Sequence, residues 1–242
     1  MSPHVRRYRF TIATTAFLLG FAIATDSYWQ PLDETWRVAL GFAPMNLRDL
    51  QWQRYLTSLW LTAGGWQFVA SIAMLTLCVG MTERLCGSFA AMKLFLSCHV
   101  SVLTTMSVVI VLLASIDSSP SLLALANGHD VGPSAGYYGC LGAILVLLPS
   151  LSGRPIFLCV FAVLLIRLII SVGHLPEGAT SVSADLAHLL ALPLGASLTR
   201  LGYVDKQSKS AIPLASLAPD CPSDTNRPPL EGDKTASKSE GS

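Results

Sequence analysis

Charge is scarce in this chain. Of its 242 residues only 13% are Asp, Glu, Lys or Arg, about half the share in an ordinary soluble domain. Apolar residues make up 52% and the mean hydropathy is +0.53. Those values exclude an ordinary soluble globular enzyme and point into a bilayer. A basic surplus is also missing: 16 Lys and Arg stand against 15 acidic residues, so nothing electrostatic favours nucleic acid as a partner. The six cysteines, Cys78, Cys86, Cys98, Cys140, Cys159 and Cys221, form no CxxC and no His/Cys spacing suited to zinc. They read as small hydrophobic residues, and no metal or organic cofactor is expected. No internal repeat is present.

Long uncharged runs are there instead. Residues 55–82, 94–116, 131–153, 155–166 and 186–199 carry no formal charge, and a membrane helix needs about 20 largely apolar residues. With the apolar block after Arg9, this predicts an all-α bundle of six transmembrane helices, near 10–28, 63–82, 89–115, 134–150, 155–173 and 184–203. The first block, with Arg6, Arg7 and Arg9 ahead of it and Ala22-Ile23-Ala24 at its end, also suits a cleaved signal peptide. The orientation of the other helices is the same either way. Lys and Arg gather in cytoplasmic loops. Arg84, Lys93, Arg154, Arg200, Lys206 and Lys209 fall on one side with the amino terminus, while Asp117, Asp130 and Glu177 fall on the other. Both termini are therefore expected in the cytoplasm. The segment 26–62 holds Trp29, Trp36, Trp52 and Trp60 and is expected to lie along the outer interface. The domain thus spans 1–203, and 204–242, rich in Pro, Ser, Lys and Asp, is expected to be a disordered cytoplasmic tail.

Gly132-Pro133-Ser134-Ala135-Gly136 is the strongest local feature. Gly-x-Ser-x-Gly also describes the nucleophile elbow of α/β-hydrolases, which needs a preceding strand; here a polar loop precedes and an apolar helix follows. Ser134 reads instead as the first turn of a membrane helix, where free N–H groups suit a developing oxyanion. Cap and packing roles are the competing reading. A serine nucleophile needs a base. His4, His129 and His174 fall outside the helices, and His99 reads as a satisfied buried histidine. His188 lies three residues after Asp185, as Ser134 lies four after Asp130. With helices starting near 134 and 184, both side chains would sit roughly 5 Å below the loop ends. Ala191 and Gly195 would allow close packing. Asp185 is expected one turn nearer the surface, not placed to complete a triad, and Arg167 is read as a long side chain reaching water or a carbonyl.

These residues resemble the rhomboid family of intramembrane serine proteases over most of 52–203. Gly132-Pro133-Ser134-Ala135 is similar to the family's Gly-x-Ser-Gly. Tyr138 stands four residues after the serine as the family's tyrosine does, and His188 with Ala191 and Gly195 is similar to its final helix. Trp52 to Thr57 looks like its Trp-Arg segment, and Gly80, Glu83, Gly87 and Ser88 match a second signature. The family's His and Asn on the second helix are replaced by Gln67 and Ser71, and Ala135 replaces a glycine. The resemblance implies a serine endopeptidase with Ser134 and His188 as a catalytic dyad. Gln67, Ser71 and Gly132 would support the oxyanion, and Tyr138 would orient the histidine. Substrates would be transmembrane-helix proteins cut near the outer face, in a multi-pass protein of the bacterial inner membrane in contact with its lipids. The alternative is a pseudoprotease that binds membrane clients without cutting them.

Overall fold

The computed structural model describes residues 7–148 and 153–204. Within them run α1 (Arg9–Ala24), α2 (Glu34–Leu40), α3 (Met45–Arg48), α4 (Arg54–Thr57), α5 (Trp66–Cys86), α6 (Ser88–Ile116), α7 (Pro120–Asn127), α8 (Ser134–Leu147), α9 (Gly153–Val172) and α10 (Ala179–Arg200). Among the described residues there is no strand, only two isolated bridges. The all-α expectation therefore holds. Four helices, α5, α6, α9 and α10, are long and apolar enough to cross a membrane; α1 and α8 are apolar but have 16 and 14 residues. His4, Cys221 and nearly all of the expected tail lie outside the described residues.

Boundaries moved where local chemistry overrode hydropathy. α5 was expected to end near 82 but continues to Cys86. Glu83 is tolerated there because it is fully partnered. Its carboxylate accepts the Phe10 and Thr11 N–H groups at 2.9 Å each and the Thr11 hydroxyl at 2.6 Å. An anion on the free N–H groups of a helix start is favourable, so Glu83 anchors α1 against α5. Gly87, at φ +90°, then turns the chain directly into α6, a conformation an L side chain rarely adopts. At the other end of the molecule α10 begins at Ala179, five residues before the expected 184.

α8 occupies the middle of the bundle and packs against α6 on one side and α10 on the other. A β-carbon on Gly136 would meet the Phe95 ring, and one on Gly139 would meet Cys98, both on α6. Toward α10, a β-carbon on Gly142 would collide with the Leu192 carbonyl, and one on Gly195 with the Gly139 backbone. Contacts advance along both helices together, with Gly139 near Ala191 and Gly142 near Leu192 and Ala196, so α8 and α10 run parallel. Small residues let the two backbones approach closely, the usual basis of helix association in membranes. α9 is different: only Gly153 and Leu164 are buried along it.

Residues 26–62 form short helices, none of a length to cross a membrane. Arg54 draws this segment together through the Val38 and Gly41 carbonyls, at 2.6 and 2.9 Å. α6 holds it from beneath, with His99 Nε2 3.0 Å from the Tyr55 carbonyl oxygen. His99 is thus buried and bonded through one ring nitrogen, but it is not fully satisfied as expected, since its Nδ1 has no hydrogen-bond partner among the described residues. Trp29, Trp36 and Trp52 are exposed, whereas Trp60 packs on Phe17 at 5.0 Å between ring centroids.

Candidate functional site

Ser134 opens α8, and its position is fixed by the loop before it. The Asp130 and Phe42 backbones exchange hydrogen bonds of 2.8 and 2.9 Å, and the Gly132 N–H donates to the Ser58 carbonyl at 2.9 Å. Gly132 takes φ +133°, which bends the chain into the helix and reserves the position for glycine. The outer segment therefore clamps the loop that presents the serine. This corrects the expected equality of depth from helix starts. His188 is the tenth residue of α10 while Ser134 is the first of α8. Both still line one cavity because the 128–133 loop runs beside the first turns of α10, with Gly128 against Ala179 and Thr180.

A cavity of about 390 Å³ receives both side chains, together with Gln67, Ser71, Gly132 and Tyr138. All six residues singled out in the sequence therefore line one space. The His188 ring stacks on Tyr138, 4.4 Å between centroids at 29°, which limits how the imidazole can turn. Gln67 is exposed in the first turn of α5, and Ser71 is half-buried one turn later beside Tyr137. Among the described residues no hydrogen bond joins Ser134 to His188. Hydrogen bonds of a catalytic pair are often long before substrate arrives.

The loop residues on the rim carry altered acidities. Burial pushes the Asp130 carboxyl up to about 6, against the pull of the Val131 N–H and Arg37. Burial, with Arg54 nearby, holds the His129 imidazole below its ordinary value.

Sequence reasoning missed the polar cluster behind the histidine. Asp185, expected to stand off from the site, is 1% exposed. Its Oδ1 lies 2.9 Å from Arg167 Nη2, and its Oδ2 accepts from Ser171 Oγ at 2.6 Å. The same Oδ1 is 3.9 Å from His188 Nδ1. Arg167 therefore reaches neither a carbonyl nor water alone but a buried carboxylate, and it also lines the cavity. The readable signal was the spacing: Arg167 and Ser171 are four apart on an otherwise apolar helix, and Asp185 and His188 are three apart, each pair sharing a helix face. Among the described residues no group of His, Cys, Asp and Glu is arranged to hold a metal ion.

Comparison with curated proteins gives no match, and comparison with solved structures gives none. A family model, the Rhomboid domain, matches residues 49–204, from the outer segment through the last helix. With that match over most of the chain, and an all-helical bundle that brings the serine and histidine motifs to one cavity, this membrane protein belongs to the rhomboid family.

Proposed function

We propose that the chain is an intramembrane serine endopeptidase using Ser134 and His188. The observation that carries this reading is their convergence, from two parallel helices, on one cavity with the imidazole stacked on Tyr138. Ser134 Oγ would attack the scissile carbonyl while His188 Nε2 takes its proton. The Ser134 backbone N–H, without a hydrogen-bond partner among the described residues at the start of α8, would hold the oxyanion with Gln67 and Ser71. Collapse of the tetrahedral intermediate expels the amine, protonated by His188, and leaves an acyl-serine. Water activated by the same imidazole then releases the acid and restores the hydroxyl.

Six crossings are part of the proposal. At about 1.5 Å per residue, the 14 residues of α8 span roughly 21 Å, less than the bilayer core of about 30 Å. Irregular backbone at membrane depth is tolerated where protein buries it, and the 128–133 loop is bonded to Phe42 and Ser58. A short α8 beneath such a loop supports a serine placed below the outer surface yet reached by water. Substrates would then be transmembrane helices whose outer end unwinds into the cavity, since a helical peptide bond is shielded by its own turn. Loop charge supports cytoplasmic termini, and the setting proposed is the bacterial inner membrane with its lipids as surroundings. Exposed Trp29, Trp36 and Trp52 support an interfacial place for residues 26–62.

The second reading is a client-binding pseudoprotease. Ser134 and His188 without a mutual hydrogen bond, and Gln67 and Ser71 in place of the family's His and Asn, favour it. A fluorophosphonate probe separates the two. Labelling of the purified protein that disappears in Ser134→Ala and in His188→Ala is expected of the protease. Absence of labelling, alongside a rhomboid that does react, would give the binding reading the field. A Gln67→His variant that labels faster would identify the oxyanion side as the weak element.

A further inference from the structure

The dyad leaves one buried nitrogen unexplained. His188 Nδ1 has no hydrogen-bond partner among the described residues, and neither does Asp185 Oδ1, although that oxygen meets Arg167 as an ion pair. The two atoms face each other at 3.9 Å along one turn of α10, about 1 Å beyond an N–H···O bond. Tyr138 covers a face of the imidazole ring and so offers Nδ1 no acceptor. A carboxylate inside a membrane bundle is costly and is retained where it is paired. This one is paired from α9, by Arg167 and by the Ser171 hydroxyl on its other oxygen.

We infer that Asp185 is a positioning residue for the proposed reaction, held by Arg167 and Ser171 of α9. It keeps the proton of neutral His188 on Nδ1 and leaves Nε2 as the acceptor toward Ser134. The inference rests on the protease reading for its consequence, but not for its geometry. A small slide of the imidazole along the face of Tyr138 would close the 3.9 Å gap as the imidazolium forms, when attraction to the carboxylate grows. Asp185 does not touch substrate. Replacing the equivalent orienting carboxylate of a soluble triad by its amide leaves geometry intact and slows the reaction by about 10⁴-fold, because the wrong tautomer is favoured.

A purely structural link between α9 and α10 would predict otherwise, and a neutral double variant separates the roles. Arg167→Met with Asp185→Asn removes both charges together, which avoids stranding one buried ion. Two measurements apply to it: the fluorophosphonate labelling rate of Ser134, and the ¹⁵N shifts of the His188 ring, assigned by difference from His188→Ala. The expected result is a folded variant labelling at least about tenfold more slowly. In the parent Nδ1 carries the proton, and in the variant the proton is redistributed toward Nε2. Labelling at the parental rate, or an unchanged ring pattern, overturns the inference. A parent that fails to label at all sinks the protease reading instead, and the ring shifts then still decide where the proton sits.

Discussion

α8 and α9 are neighbours of the same last helix, and they meet α10 in opposite ways. The α8 seam is backbone against backbone. Gly139, Gly142 and Gly195 lie where a single added methyl would collide with main-chain atoms or Cys98, and Cys140, Ala143, Ala191 and Leu192 are shielded from the surroundings. α9 fully buries Gly153 and Leu164, lays half-buried Phe157, Val160 and Phe161 against Leu145 of α8 and Leu192 of α10, and reaches Asp185 of α10 through Arg167 and Ser171. One side of the site is therefore set by backbone against backbone, and the other by a narrow, partly buried apolar stripe with a few polar contacts. In lipid there is no hydrophobic drive to bring helices together, so close contact has to come from shape and from hydrogen bonds. α8 relies on shape, whereas α9 combines a lighter apolar contact with the polar cluster.

The largest expected effect breaks the tight seam. Gly195→Val places a branched side chain into the Gly139 backbone, with no flexible neighbour to yield. Overpacking usually costs about 1–3 kcal/mol; a collision with main chain should reach the top of that range or exceed it. Denaturation of the purified protein in mixed micelles measures it. A variant with parental stability would mean the two helices can slide apart, and the contrast with α9 would vanish.

That seam was legible because glycine and alanine at helical spacing mark close approach, and Ser134, Tyr138, Ala191 and Gly195 already stood out in the sequence. The all-helical class and the places of the six apolar helices followed from the uncharged runs and the apolar block after Arg9, whereas the short helices α2, α3, α4 and α7 did not. What hydropathy could not deliver was depth. A helix start at Ala179 rather than near 184 cannot be seen among small and polar residues such as Ala179, Thr180 and Ser181, and the descent of the 128–133 loop depends on bonds to Phe42 and Ser58 far away in sequence. Asp185 was misjudged for the same reason. Its charge is paired by Arg167, a residue that looks isolated until α9 and α10 are side by side.

A middle-sized effect tests whether the loop leading into α8 is as enclosed as the seam behind it. Burial raises the Asp130 carboxyl from the ordinary 3.8 to about 6. A raised carboxyl means that the folded protein keeps a proton the unfolded chain has released. Its contribution to stability is complete below about pH 4, falls as pH rises through the window up to about 6, and changes no further above it. The loss is on the order of 1–3 kcal/mol. His129 runs the other way, its depressed value favouring the folded state above its ordinary titration range and less so below. Asp130→Asn keeps an acceptor for the Val131 N–H, so the difference between parent and variant isolates the carboxyl. Unfolding midpoints at pH 4.5 and pH 7 should fall with rising pH more in the parent than in the variant. Equal slopes would mean that the loop is wet and that Phe42 does not enclose it.

The smallest effect belongs to the loose helix. Ile166, Ile169 and Ile170 on α9 are each more than half exposed, so in a bilayer they touch acyl chains rather than protein. Shortening them exchanges one lipid contact for another and opens no cavity. Ile166→Ala with Ile169→Ala should therefore shift the unfolding midpoint by no more than about 0.5 kcal/mol, read in the same micelle assay as Gly195→Val. The ratio of the two losses is the quantitative form of the comparison. If the isoleucine pair instead costs several kcal/mol, that face of α9 is covered in the membrane by another chain, and the helix would be held by packing as firmly as α8. The polar cluster at Asp185 would then no longer be needed to keep α9 against α10, and its place beside His188 would have to be explained by the histidine alone.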